Sequence, residues 1–328
     1  MNMLVSPDIA AADPLEASMP LKLRHVLFPY GFPLHIKSTD PEVIRAAELS
    51  WGSFEQRFRE PPLEIRFIIS EETERRRLRP PRFRAQSNLL AIVAGFDNFA
   101  CCDLSRGFGF ACLTKAALAN QDYFRYHFLE AMVCTLLDTQ HLVALHAACI
   151  EMNGRGVMFV GESGAGKSSL AYACARRGHV YISDEASLLV RRRAERLVLG
   201  NPQVVRFRPA ARALFPELKG HVRSRNGKLS IEIATRDLRH VQTAPGCNAE
   251  YVLFLNRSDA PGLGASLTPM SQSVALRLLF RQVWPGELPI HEERLKSVEQ
   301  LLSARLYQFT YSDLDRAVDF LEQATRAS

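Results

Sequence analysis

Short apolar runs that predict strands alternate along the chain with longer runs that have a helical period. LEIRFIIS (residues 63–70) and NLLAIVAGF (88–96) are strand-like and are separated by turn-rich and proline-rich stretches. They predict a small α+β module in the first part of the chain. Residues 119–141 repeat apolar positions at helical spacing and keep one polar face. We expect this helix to bridge the module to the remainder.

The second part of the chain alternates strand-like and helical runs around a glycine-rich turn. GVMFV (156–160) predicts a strand before the turn, and KSSLAYACARR (167–177) predicts a helix after it. HVYI (179–182) predicts a strand that lies beside the first one. Further strands are predicted at QVVRFRP (203–209), KLSIEIAT (228–235) and EYVLFLN (250–256), and amphipathic helices at 271–284 and 312–327. This order predicts an α/β catalytic domain.

Length and composition fit an ordinary folded protein of two domains. The 328 residues predict a flexible tail over 1–20, an N-terminal α+β accessory domain over 21–141 and a catalytic domain over 142–328. Hydrophobic residues make up 47% and charged residues 23%, which are average values for globular proteins. The net charge of +6 suits phosphates but does not require nucleic acid, so we expect no nucleic-acid partner.

Targeting signals are absent from the pattern. The first residues lack a basic and apolar leader, and no run reaches the length of a membrane span, so we expect no membrane partner. Seven cysteines without a C-x-x-C pair form neither a disulfide framework nor a zinc signature. These features predict a cytoplasmic location.

The glycine-rich turn satisfies G-x-x-x-x-G-K-[ST], a loop whose backbone N–H groups enclose the phosphates of a nucleotide. In that motif the lysine reaches the β and γ oxygens, and the following hydroxyl binds magnesium. The predicted nucleotide-binding residues are Gly161, Glu162, Ser163, Gly164, Ala165, Gly166, Lys167, Ser168 and Ser169. The loop alone predicts a bound triphosphate and leaves the reaction open.

Two acids and a histidine are the candidates for chemistry beside the loop. Asp184 and Glu185 follow the predicted strand at 179–182, at the sheet edge where ligands bind in α/β proteins. An acid there can hold magnesium, accept a proton from a hydroxyl, or cap a helix. His146 ends a strand-like run before the loop and is either a functional group or a core histidine.

Residues 146–189 resemble the catalytic core of the HPr kinase/phosphorylase family, whose fold is similar to that of phosphoenolpyruvate carboxykinase. The resemblance rests on four elements that occur in the family's order. They are His146, the loop over 161–168, RRGH (176–179) and SDE (183–185). It implies a P-loop kinase core that uses ATP and Mg²⁺. It also implies that Ser168 and Asp184 lie at the metal and that Lys167 and His146 are active-site residues. Glu185 matches the family's proton acceptor, and the alternative is that Asp184 shares or takes over this catalytic role.

Two departures from the family pattern limit what the resemblance implies. The first is that the family has Asp where this chain has Glu185, whose carboxylate lies further from the backbone. The second is that the family's E-I-R-G-x-G segment, which supplies a magnesium-binding Glu, has no clear counterpart, so phosphorylase activity is not expected. The similarity of Arg223, Arg225 and Lys228 to a family basic stretch implies possible phosphate binding. We therefore expect a serine kinase for a protein or peptide, with a possible homo-oligomer. The alternatives are a nucleotide-binding regulator with little turnover and, third, a small-molecule kinase.

Overall fold

The computed structural model describes residues 21–71, 78–193, 195–219, 221–225, 228–258, 260, 262, 264–283 and 291–326. Two compact units succeed each other along the chain, and the second begins at His141. The predicted tail over 1–20 lies outside the described residues. Within the described ranges, no helix combines the length and apolar content needed to cross a membrane.

The first unit contains a seven-stranded mixed sheet in the order β1-β2-β3-β7-β6-β5-β4. Strands β2, β3 and β7 run parallel, while the other neighbours pair antiparallel. The strands are β1 Leu23–Leu27, β2 Leu34–Ser38, β3 Leu63–Ser70, β4 Arg82–Gln86, β5 Leu89–Val93, β6 Phe99–Asp103 and β7 Phe108–Thr114. Alternating residues of β3, including Ile65 and Phe67, are fully buried, as its pattern predicts.

Helices of the first unit are α1 Pro41–Trp51, α2 Lys115–Ala119, α3 Gln121–Phe124 and α4 Glu130–Gln140. The helix predicted over 119–141 is continuous from Gln121 to Gln140, and a cap at Asn120 separates it from α2. Thr114 accepts a hydrogen bond from the backbone N–H of Ala117, and Asn120 accepts one from that of Tyr123. A π-helical turn over Arg125–Leu129 then joins α3 to α4.

The second unit is built on a ten-stranded mixed sheet and a separate three-stranded sheet. The strands of the large sheet are β8 Leu142–Leu145, β9 Ala147–Met152, β10 Arg155–Val160, β11 Val180–Ser183, β12 Ser187–Val190, β13 Leu197–Leu199, β17 Gln242–Thr243, β18 Gly246–Arg257, β19 Ser266–Pro269 and β20 Arg305–Tyr311. The small sheet has the order β14-β16-β15 and consists of β14 Val204–Phe207, β15 His221–Arg225 and β16 Lys228–Ala234.

The prediction that the 179–182 strand lies beside the 156–160 strand is wrong. Strand β9 lies between them and pairs antiparallel with both β10 and β11. Strands β10 and β11 therefore still run in the same direction, as do β18 and β20, which extend the sheet on the other side of β10. As a result, the carboxyl ends of β10 and β11 and the start of β9 all lie at one sheet edge.

Helices of the second unit are α5 Lys167–Arg176, α6 Gln272–Phe280, α7 His291–Glu299 and α8 Leu314–Arg326. The predicted terminal helices are shorter than expected, and α7 was missed because its sequence, HEERLKSVE, is mostly polar. Successive residues of β10 face two cores. Val157 and Phe159 pack in the core that contains residues of α5 and α8, and Met158 and Val160 pack in the core that contains residues of α6 and α7. The strand is consequently apolar throughout.

Candidate active site at the edge of the large sheet

The glycine-rich loop connects the end of β10 to the first turn of α5. Gly164 and Gly166 have φ angles of 98° and 95°, in the left-handed region that favours glycine. A Cβ on Gly166 would lie 2.7 Å from the Tyr311 hydroxyl, and one on Gly161 would lie 2.9 Å from the Ala165 Cβ. The loop is therefore compact, and its backbone can approach a ligand closely where side chains would obstruct it.

Lys167 begins α5 and folds back across the loop. Its Nζ donates to the carbonyl oxygens of Gly161 at 2.6 Å and Glu162 at 3.2 Å. The pKa of the ammonium is lowered to about 8, mainly by burial; the Glu162 charge opposes this shift and the Arg208 charge adds to it. A buried ammonium held by neutral carbonyls is well suited to exchange them for phosphate oxygens.

Asp184 lies directly after β11 and has a buried carboxylate. That carboxylate accepts hydrogen bonds from the backbone N–H of Arg206 and from the Tyr181 hydroxyl. Burial raises the pKa of Asp184 to about 7, although the two hydrogen bonds and the Arg206 charge act in the opposite direction. The Ser168 hydroxyl donates to the Asp184 carbonyl at 3.3 Å, so the loop and the acid pair are in direct contact.

Glu185 and His146 are brought together at the same edge. The Nδ1 of His146 lies 3.2 Å from the carbonyl oxygen of Glu185, which can accept a hydrogen bond from it. The side chain of Glu185 is half-exposed, with Oε2 lying 3.5 Å from the Nη1 of Arg206. Of the two acids, Glu185 is thus the one that an outside hydroxyl can reach.

Sequence reasoning did not single out three charged residues that surround these acids. Arg206 on β14 lies opposite Glu232 on β16, and its Nε donates to the Glu232 Oε1 at 3.0 Å. The charges of Asp184, Glu232 and Glu185 together raise the pKa of Arg206, against the effect of burial. Arg208, two residues further on, donates to the Ser163 hydroxyl of the loop at 2.7 Å. The alternating pattern VVRFR was the available signal, because period-two spacing places both arginines on one face.

Some predicted site residues stay untested. Arg223 and Arg225 lie on β15 and Lys228 begins β16, with Arg225 opposite Lys228 in the hairpin, but their side chains lie outside the described residues. Ser169 is the third residue of α5. The roles assigned to the loop residues, the acids and His146 also remain predictions.

The donors at this edge suit a nucleotide phosphate and provide few metal ligands. In the described part of the chain, no group of three or more His, Cys, Asp and Glu side chains could hold a metal ion. Magnesium characteristically takes one or two protein oxygens and completes its shell with phosphate and water. Ser168 and one of the acids would therefore be sufficient in the presence of a triphosphate, and the glycine positions and Lys167 fit that triphosphate.

Comparison with known proteins points to one family for this core. A family model described as the HPr Serine kinase C-terminal domain matches residues 139–208, which include the loop and both acids. This segment of the chain is therefore similar to the HPr kinase C-terminal domain. The match also spans β14, so Arg206 and Arg208 lie within the matched segment as well.

Relatives of this core are distant. The HPr kinase/phosphorylase of Halalkalibacterium halodurans is 27% identical over 150 residues, covering 43% of this chain and 48% of that protein. The HPr kinase/phosphorylase of Caldicellulosiruptor bescii is 34% identical over 65 residues, or 20% of this chain and 21% of that protein. The chain thus spans less than half the length of these relatives.

A solved structure of the HPr(Ser) kinase/phosphatase from Coxiella burnetii is also similar in part. The alignment covers 56% of this chain and 96% of that one, with 14% identity and a TM-score of 0.32. At that level of overlap, the superposition adds nothing to the assignment that the family match provides.

Proposed function

We propose that this protein is an ATP-dependent, Mg²⁺-requiring serine kinase that transfers the γ-phosphate to a protein or peptide hydroxyl. The observation that carries the proposal is the contact between Ser168 of the loop and Asp184, because it joins the phosphate-binding loop to the acid pair at one sheet edge. The core would be a P-loop kinase of the HPr kinase and phosphoenolpyruvate carboxykinase type.

In the proposed reaction, the loop and Lys167 hold the triphosphate, and Ser168 with Asp184 lies where magnesium would bind. Magnesium, when bound, would neutralise charge on the phosphate oxygens. Glu185 accepts the proton of the acceptor serine, whose oxygen forms a bond to the γ-phosphorus while the bond to the β–γ bridging oxygen breaks and ADP leaves. Its exposure favours Glu185 over the buried Asp184 for this step.

The second candidate is a nucleotide-binding regulator with little turnover. The observation that favours it is the sequence GNPQVVRFRP (200–209), which occupies the interval where the family carries a magnesium-binding Glu and contains no acid. A small-molecule kinase ranks third, since nothing in the sequence indicates a metabolite-binding pocket. Reverse phosphorylase activity is not proposed.

Glu185→Gln separates the kinase from the regulator. The neutral amide keeps the size of the side chain but cannot accept the proton, so we expect ATP affinity to be retained and phosphoryl transfer to fall by about 10²-fold or more. Binding is measured by calorimetric titration and transfer with labelled ATP. A wild-type protein that binds ATP tightly and transfers no phosphate to any acceptor would support the regulator.

A further inference from the structure

Strand β14 and the extended residue that follows it present two arginines to the active-site edge. The apolar residues of β14, Val205 and Phe207, are buried in the core, so the alternate residues Arg206 and Arg208 lie on the opposite face. Arg206 contacts the acids, and its charge is shared with Glu232 and Glu185. Arg208 contacts the loop instead. Arg206 therefore lies at the acidic part of the edge, and Arg208 lies at its phosphate-binding part.

The position of Arg208 relative to the loop is fixed by aromatic packing. Phe207 packs edge-on against Tyr172 of α5, with ring centroids 5.2 Å apart, and Phe215 packs on the same tyrosine at 4.9 Å. Helix α5 directly follows the phosphate-binding loop. Pro209 then starts a short 3₁₀ turn, which limits the backbone on the other side of Arg208. The guanidinium is thus carried by a backbone that is tied to the loop's own helix.

The contact of Arg208 is one that a phosphate would improve. Its Nη2 donates to the neutral Ser163 hydroxyl at 2.7 Å, and its side chain is exposed. A guanidinium prefers a charged, planar or tetrahedral oxygen pair, which it can bind through two parallel hydrogen bonds. Arg208 also lies close enough to Lys167 for their charges to interact, with Glu162 as the acid facing that lysine. The positive charges of Lys167 and Arg208 beside one loop favour the binding of a polyanion between them.

We propose that Arg208 is a catalytic residue that binds the γ-phosphate and stabilises the charge that develops on it during transfer. This inference rests on the proposed kinase function. It goes beyond the loop motif, because the arginine follows a different strand and reaches the phosphates from outside the loop. By this assignment, Lys167 and Arg208 hold the transferred group from two directions, and Glu185 receives the proton from the acceptor.

The test compares affinities for a triphosphate and a diphosphate. ADP and the non-hydrolysable β,γ-imido analogue of ATP are titrated calorimetrically, with magnesium, into the wild type, Arg208→Ala, Arg208→Lys and the control Arg236→Ala. Arg236 is a highly exposed arginine outside the site, and its replacement matches the loss of charge. The kcat and KM for transfer are measured for the same four proteins.

We expect Arg208→Ala to lose about tenfold or more in affinity for the triphosphate analogue, with ADP affinity retained. The kcat should fall by about 10³-fold, with partial recovery in Arg208→Lys and no change in Arg236→Ala. Retained ADP affinity shows in the same experiment that the variant is folded. If Arg208→Ala lost the same affinity for ADP as for the triphosphate analogue, or kept its kcat, the role assigned to Arg208 would be wrong. The kinase proposal itself would not be affected by that result. A wild type that binds nucleotide but transfers no phosphate would overturn the kinase proposal as well.

Discussion

Burial determines the pKa of Asp184 at the active-site edge. The Asp184 carboxylate is buried beneath Arg206 and Tyr181, and its pKa rises from the usual 3.8 to about 7. Its neighbour Glu185 remains half-exposed beside the Arg206 guanidinium. Two adjacent acids therefore have different environments, and Glu185 is the more accessible of the two.

The raised pKa of Asp184 predicts a pH dependence of stability. Between pH 4 and 7 the folded protein holds a proton that the unfolded chain has lost, so this residue's contribution to the free energy of unfolding falls as the pH rises through that interval. Asparagine cannot ionise, so the melting temperature of Asp184→Asn, relative to wild type, should rise between pH 5 and pH 8. Thermal denaturation at a series of pH values measures this. A constant difference across the series would contradict the assigned protonation.

Most of the residues that were predicted from sequence belong to one contiguous motif or follow it closely along the chain. The loop, Lys167 and Ser168 belong to one motif, and Asp184 lies sixteen residues after Ser168, with which it forms a hydrogen bond. Arg206 and Glu232 could not be predicted as a pair, because their contact depends on the register between β14 and β16. A charged residue in a strand pattern gives no indication of the residue opposite it.

At the level of helices and strands, the segment that follows α5 holds the last helix in place. Arg177 binds Asp319 and Glu322 on α8 at 2.6 and 3.3 Å, and His179 lies 3.0 Å from Glu322. Asn153 adds a hydrogen bond to Thr325 at 2.8 Å. The R-G-H portion of the resemblance therefore contributes to packing of α8, whereas the loop and the acids form the candidate site.

Glu322→Gln tests this attachment. The amide removes the charge that faces both Arg177 and His179, so we expect the protein to lose about 1–2 kcal/mol of unfolding free energy. Nucleotide affinity should be unchanged, since none of these contacts involves the loop. Urea denaturation and nucleotide titration measure the two quantities. The control is Glu299→Gln, an exposed glutamate at the end of α7. A variant as stable as this control would show that the ion pairs do not hold α8.

Strand order within the second unit illustrates what local patterns cannot provide. The apolar strands β10 and β18 were predicted from composition, and they pair in parallel as buried neighbours. The position of β9 between β10 and β11 was not predicted, because an antiparallel insertion changes which strands are adjacent without changing any strand's own pattern. The active-site edge is preserved because β10 and β11 keep a common direction.

Across the whole molecule, the two units differ in how far they can be interpreted. The family match lies almost entirely in the second unit, where the loop, the acids and both arginines occur. The first unit has a well-formed sheet but carries none of the residues assigned to the reaction. We predict that it binds the acceptor or mediates self-association, and the division into an accessory and a catalytic domain also stays a prediction.

Phosphoryl transfer from ATP by this protein can be tested in one labelling experiment. The full chain is incubated with magnesium and γ-labelled ATP, together with a lysate of its source or peptides encoded nearby, beside the variants Lys167→Ala and Glu185→Gln. We predict label on a serine of a protein or peptide with the wild type, and its loss with both variants, because one removes the phosphate-binding ammonium and the other the proton acceptor. Tight ATP binding with no labelled serine in any acceptor would contradict the account.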